Sequence, residues 1–132
     1  MLDAVVRVYG EAFDVALFLE QFEGLTLSDS FNKGEPDMLG NPNEFSGFDV
    51  IVAESQAGLV CIEKVQNLIT SQQEAFAFLK ANGVNVVLDL DATVDPNNEL
   101  PESLSLSAEL LGELNTLNIA IEFSAYPEIA GI

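Results

Sequence analysis

The sequence contains no histidine and no tryptophan, a single cysteine, and only four basic residues, Arg7, Lys33, Lys64 and Lys80. Without histidine there is no Ser-His or Cys-His nucleophile pair and no imidazole base. Zinc sites built on histidine or on several cysteines are excluded as well. Any catalysis would fall to carboxylates, lysine or tyrosine. The lone Cys61 forms no internal disulfide, which suits a reducing cytoplasm. Apolar runs are short, roughly 4–8 residues against the ~20 that a membrane span needs. The opening MLDAVVRVYG has no basic segment followed by a long apolar stretch, so no secretory signal is expected.

What is present is negative charge. The 22 acidic residues give a formal net charge of −18 on 132 residues. Such a field repels nucleic acid and anionic membranes, which need Lys and Arg to displace counterions. It attracts basic proteins. The same composition also serves solubility, or life in a salty cytosol. Because 48% of the residues are apolar, the chain is globular, with one sizeable core.

Residues 4–9, AVVRVY, alternate as a strand ended by Gly10, with Ala4, Val6 and Val8 on one side and Val5, Arg7 and Tyr9 on the other. Asp14 is placed to cap a short helix, VALFLEQF, which Gly24 closes. Residues 25–47 hold Gly34, Pro36, Gly40, Pro42 and Gly47 and read as one long surface loop, with at most a short strand at Leu25–Leu27. FDVIVAES (48–55) reads as a strand with Phe48, Val50, Val52 and Glu54 against Asp49, Ile51, Ala53 and Ser55. Leu59–Thr70 has helical spacing, and Ser71-x-x-Glu74 has the form of a capping box that opens or kinks a further helix stopped by Asn82-Gly83. Val84–Val94 is the next strand, Asp95–Asn98 a turn, and 97–106 a linker. Ser107 caps a last helix ended near Asn118, and Ile119–Tyr126 is a final strand with Ile119, Ile121 and Phe123 inward. This order predicts one α/β (α+β) domain over 1–132. Its architecture is a two-layer sandwich: a mixed sheet of four or five strands with helices on one face.

The segment DLDATVDPNNE (89–99) tests a metal reading. A calcium loop of the EF-hand type wants glycine at position six and glutamate at twelve. Counted from Asp89, these positions are Val94 and Leu100. Strand alternation explains the aspartates better, with Asp89 and Asp91 on a solvated face. No metal, cofactor or catalytic set is expected. Summed over the strands, the outward face offers Tyr9, Asp49, Asp89, Asp91, Glu122 and Tyr126. Carboxylates among tyrosines suit a protein partner, since Tyr supplies contact area and carboxylates meet Arg or Lys. An ordinary solvated sheet face has the same pattern.

Two segments also resemble a known family. LSLSAELLGELNTLNIAIEFSAYP (104–127) and VRVYGEAFDVALFLEQFEGLTL (6–27) are similar to the closing and opening parts of the bacterial domain of unknown function 4279. Lys33-Gly34-Glu35 resembles a basic-Gly-acidic element of the same family. Members often carry a tryptophan entering the second main strand, where Phe45 or Phe48 stands here. Some members look like immunity proteins encoded beside bacterial toxins. The resemblance therefore implies an immunity protein and supplies no catalytic residues; joined to the negative charge, it leads to the expectation of a cytoplasmic inhibitor that covers a basic, nuclease-type toxin. Other readings stay open: a nucleic-acid mimic from a phage or mobile element, a small-ligand binder or carboxylate-based enzyme, and a generic acidic domain of a salt-adapted organism. The oligomeric state is not specified by these patterns.

Overall fold

Alternation of apolar and polar residues dominates the strands, and the computed structural model, which describes residues 1–95, 97 and 103–128, gathers them into one sheet. Its strands are β1 (Leu2–Gly10), β2 (Asp29–Phe31), β3 (Ser46–Gln56), β4 (Asn85–Val94) and β5 (Ile119–Pro127). The helices are α1 (Val15–Gln21), α2 (Gly58–Ser71), α3 (Gln73–Ala81) and α4 (Ala108–Thr116). The spatial order is β2-β3-β1-β4-β5. All neighbours are antiparallel except β4 and β5, which run parallel and are joined through α4. The sheet is therefore mixed, as expected for the two-layer α/β sandwich.

The core lies between the sheet and the helices. Ala4, Val6 and Val8 of β1, Phe48 and Val50 of β3, and Val86, Leu88 and Leu90 of β4 are buried. They meet Phe18 of α1, Cys61, Val65 and Ile69 of α2, Phe76 and Leu79 of α3, and Leu110 and Leu114 of α4. Each fully buried Leu, Ile or Phe contributes roughly 1.5–3 kcal/mol. The Phe18 ring stands 5.1–6.0 Å from those of Phe13, Phe22, Phe48 and Phe78 and fixes the α1 corner. Polar ties hold the helices in register. Gln66 donates to Glu113 at 2.7 Å, and the Lys80 ammonium donates to the Thr116 carbonyl at 2.7 Å.

Local signals set most boundaries. The Leu17 and Leu110 N–H groups donate to the side chains of Asp14 and Ser107, both at 3.1 Å, and caps of this kind stabilise a helix by about 1 kcal/mol. Gly83 (φ 68°) and Asn118 (φ 56°) take the left-handed conformation that ends α3 and α4.

Several expectations are corrected. Ser71 caps nothing; it is the last residue of α2, its hydroxyl bonds back to the Leu68 carbonyl, and the break falls at Gln72. Gly24 does not close α1, which ends at Gln21 with Phe22 as its cap. Gly24 instead carries the Gln72 side chain against its backbone. The strand in 25–47 is at Asp29–Phe31 rather than Leu25–Leu27, because pairing with β3 decides it. Beyond it, residues 32–45 fold back on themselves through Gly34–Asn43 and Glu35–Asn43 bonds and a Pro36–Pro42 bridge. The register of β3 against β1 slips between Ala53 and Ile51, which turns Ala53 into the core. Pro96 and Asn98 of the expected turn and residues 98–102 of the linker lie outside the described residues; within the turn the Asn97 N–H donates to Asp95 at 2.9 Å.

Candidate functional site

The face of the sheet away from the helices carries the side chains that alternate with the core set. Strand register fixes which of them are neighbours. Arg7 lies opposite Asp49 on β3 and Val87 on β4. Asp89 lies opposite Val5 and Glu122. Asp91 lies opposite Asp3 and Ser124, Tyr9 opposite Gly47 and Asn85, and Tyr126 opposite Thr93. All the residues expected on the outward face, Tyr9, Asp49, Asp89, Asp91, Glu122 and Tyr126, are thus on one side of one sheet.

They differ in role. Asp89, expected to be solvated, is instead buried, at 6% exposure, because its carboxylate takes the Arg7 guanidinium at 3.0 Å. Arg7 reaches it diagonally across β1 and β4, a span suited to a long side chain. The Arg7 side chain is itself 54% exposed. Asp49 is half-buried and faces Asp29 across the β2–β3 ladder. Burial pushes the Asp49 carboxyl above its ordinary range; Arg7 pulls it down, and Asp29 and Asp89 add to the rise. The Asp91 carboxyl is also raised, by desolvation and then by repulsion from Asp89, against the pull of Arg7. Glu122 and Tyr126 are exposed. Tyr9 is half-buried because the Phe45 ring packs on it at 5.2 Å.

Asp3 and Asp29 of this face lay outside the expected set, and Arg7, expected on the outward side of β1 beside Tyr9, joins the carboxylates. Arg7 is the cation at its centre. Asp29 arrives with the short strand β2. Asp3 accepts the Ser55 N–H at 2.6 Å, where Ser55 has a positive φ of 48°. Arg7 was legible as the one basic residue on an outward strand position; Asp29 had no local signal. Near Asp3, an open depression of about 370 Å³ is lined by the apolar Val5, Ile51 and Ala53 together with Asp3, Glu54, Ser55 and Asp91. Ile51 is exposed there. An aliphatic stem with a cationic head matches that combination.

Acidic residues also stand on the helices, among them Glu20, Glu63, Glu74, Glu109 and Glu113. Glu113 is half-buried too, where it accepts from Gln66; the sheet face differs in the raised carboxyls of Asp49 and Asp91 and in the tyrosines at its ends. Among the described residues, no group of three or more Cys, Asp or Glu is arranged to hold a metal ion. None of the described helices is long and apolar enough to cross a membrane.

One expectation about the last strand is corrected. Ile121 and Phe123 do sit on the helix side of β5, yet they are 40% and 53% exposed. Helix α4 covers only the start of the strand, where Ile119 is buried. Comparison of the chain with models of protein families, with curated proteins and with solved structures found no match.

Proposed function

We propose that this chain is a non-catalytic acidic binding protein that covers a basic protein surface, as an immunity protein or inhibitor covers a nuclease-type toxin. One observation carries the reading: Asp3, Asp29, Asp49, Asp91 and Glu122 surround the single Arg7–Asp89 pair on an open sheet face. Arg7 neutralises one carboxylate and leaves the others unmatched. Asp49 and Asp91, raised by desolvation and further by neighbouring carboxylates, are stabilised in their charged form by an incoming cation. Long-range attraction from a net charge of −18 speeds encounter, and contacts at Tyr126 and Ile51 lengthen residence. The partner is a protein rather than nucleic acid or membrane, both of which the field repels. The absence of histidine and the resemblance to an immunity-protein-like family fit a role without bond chemistry, exercised in the cytoplasm.

Capture from the native host tests this, with bound proteins identified by mass spectrometry. The unaltered chain is compared with a variant carrying Asp91→Lys and Glu122→Lys. Asp89 is left alone, because a lysine there would be buried against Arg7. The expected result is a basic protein retained by the unaltered chain, released by salt, and lost by at least tenfold in the variant. A neutral or acidic partner, or one the variant holds equally well, overturns the reading.

A further inference from the structure

Strand β5 closes the sheet on one side. No described residue pairs with its outer edge. It is nine residues long and its register with β4 runs without a slip from Ile119 to Pro127. Proteins blunt such edges with lysines, prolines, bulges or very short strands. Here there is no lysine and no bulge, and the proline is the last residue. The two sides of the edge differ in chemistry. Toward the helices it presents Ile121 and Phe123, both half exposed; toward the open face it presents Glu122 and Tyr126.

We infer that β5 accepts an extended segment of a cationic protein as a sixth strand. Its side chains alternate: apolar residues settle on Ile121 and Phe123, and lysines or arginines lie over Glu122 toward the Asp89–Asp91 row. Neighbouring strands are about 4.8 Å apart, so a long basic side chain on the added strand spans to Glu122 and past it. Backbone hydrogen bonds supply affinity, and the alternating pattern supplies specificity. A second copy of this chain is disfavoured as the occupant, because pairing would bring together two molecules each of charge −18. The inference rests on the reading above that the partner is basic, and adds where and in what conformation it binds.

The test uses a synthetic ten-residue peptide alternating lysine and valine, with blocked ends. Its controls are a peptide of the same composition with the lysines in one half, and alternating peptides N-methylated at every second residue in either phase. Binding is followed by fluorescence anisotropy and by hydrogen exchange of the β5 amides. The alternating peptide is expected to bind at least tenfold more tightly than the segregated one and to slow exchange in β5. One N-methylated phase should lose this affinity. Phe123→Glu should weaken the alternating peptide by tenfold or more, although it adds a negative charge. Equal binding of alternating and segregated peptides, with no effect of N-methylation, would overturn strand addition while leaving a basic partner for the face. Failure of every cationic peptide at low salt would count against both. A chain that is already dimeric in sedimentation, with β5 protected before peptide is added, would assign the edge to a second copy and overturn the inference.

Discussion

The Arg7 guanidinium stands 3.0 Å from the Asp89 carboxylate, and the two ends of this pair are unequally wet: Arg7 is half exposed and Asp89 is buried. Removing either partner therefore has different consequences. Arg7→Met keeps the aliphatic stem but leaves a buried carboxylate without its counterion, beside Asp49 and Asp91. We expect a loss of about 1–3 kcal/mol, below the range for a fully buried pair because Arg7 is open to solvent. Asp89→Asn should cost less, and the double variant should recover part of the Arg7→Met loss. Urea denaturation of the four proteins checks this; strictly additive losses would show that the pair is not coupled.

Stability should fall as pH rises through the acid range. Asp49 and Asp91 have folded-state pKa values above the ordinary 3.8. Between that value and the raised one, the folded state binds more protons than the unfolded state, so folding is favoured on the acid side of the window and loses this contribution above it. Asp49→Asn and Asp91→Asn should each flatten the decline. Thermal melts across this window, at constant ionic strength, provide the measurement. A variant whose profile matches that of the unaltered chain would exclude its carboxyl as a source.

Self-repulsion should make the fold responsive to simple salt. A net charge of −18 against four basic residues disfavours the compact state, and the Debye length shrinks from ~30 Å at 0.01 M to ~8 Å at 0.15 M. The melting temperature is expected to climb over that interval and to level off above it. A continuous climb into molar salt would instead mark an adaptation to brine.

Gly47 should not tolerate a side chain. It lies in β3 opposite Tyr9 and Phe31, and a Cβ there would collide with the Val8 carbonyl and stand 2.9 Å from the Phe31 ring. Gly47→Ala forces β3 away from β1 and is expected to cost more than about 2 kcal/mol. Hydrogen exchange should locate the damage at β2 and the neighbouring part of β3. Gly34→Ala offers the contrast: it meets no atom nearby but has a φ of 88°, so its cost comes from backbone strain, with β2 and β3 otherwise intact.

Much of this architecture is legible where a short pattern decides the outcome. The alternation from Val84 to Val94 places Asp89 and Asp91 on one side because a strand has a period of two. Asp14 and Ser107 mark helix starts because their side chains satisfy backbone N–H groups three residues on. What escapes local patterns is decided by partners distant in sequence. β2 exists because Phe48 and Asp49 offer an edge to Ser30 and Asp29. Ala53 turns inward because β3 slips against β1. Ile121 and Phe123 have the spacing of buried residues, but α4 is too short to reach them. The outward set was readable as a set, whereas the pairing of Arg7 with Asp89 needed the β1–β4 register.

Strand β1 is made before either of its neighbours in the sheet, yet it ends up between them. Its partner β3 emerges some forty residues later, and β4 follows a further helical pair. A nascent chain extended only through α3 holds β1 with one side unmatched, and the loop that must close to fill that side is long. Such non-local closure, set beside the local contacts of four helices, is expected to give a folding rate between those of helical bundles and all-β sandwiches.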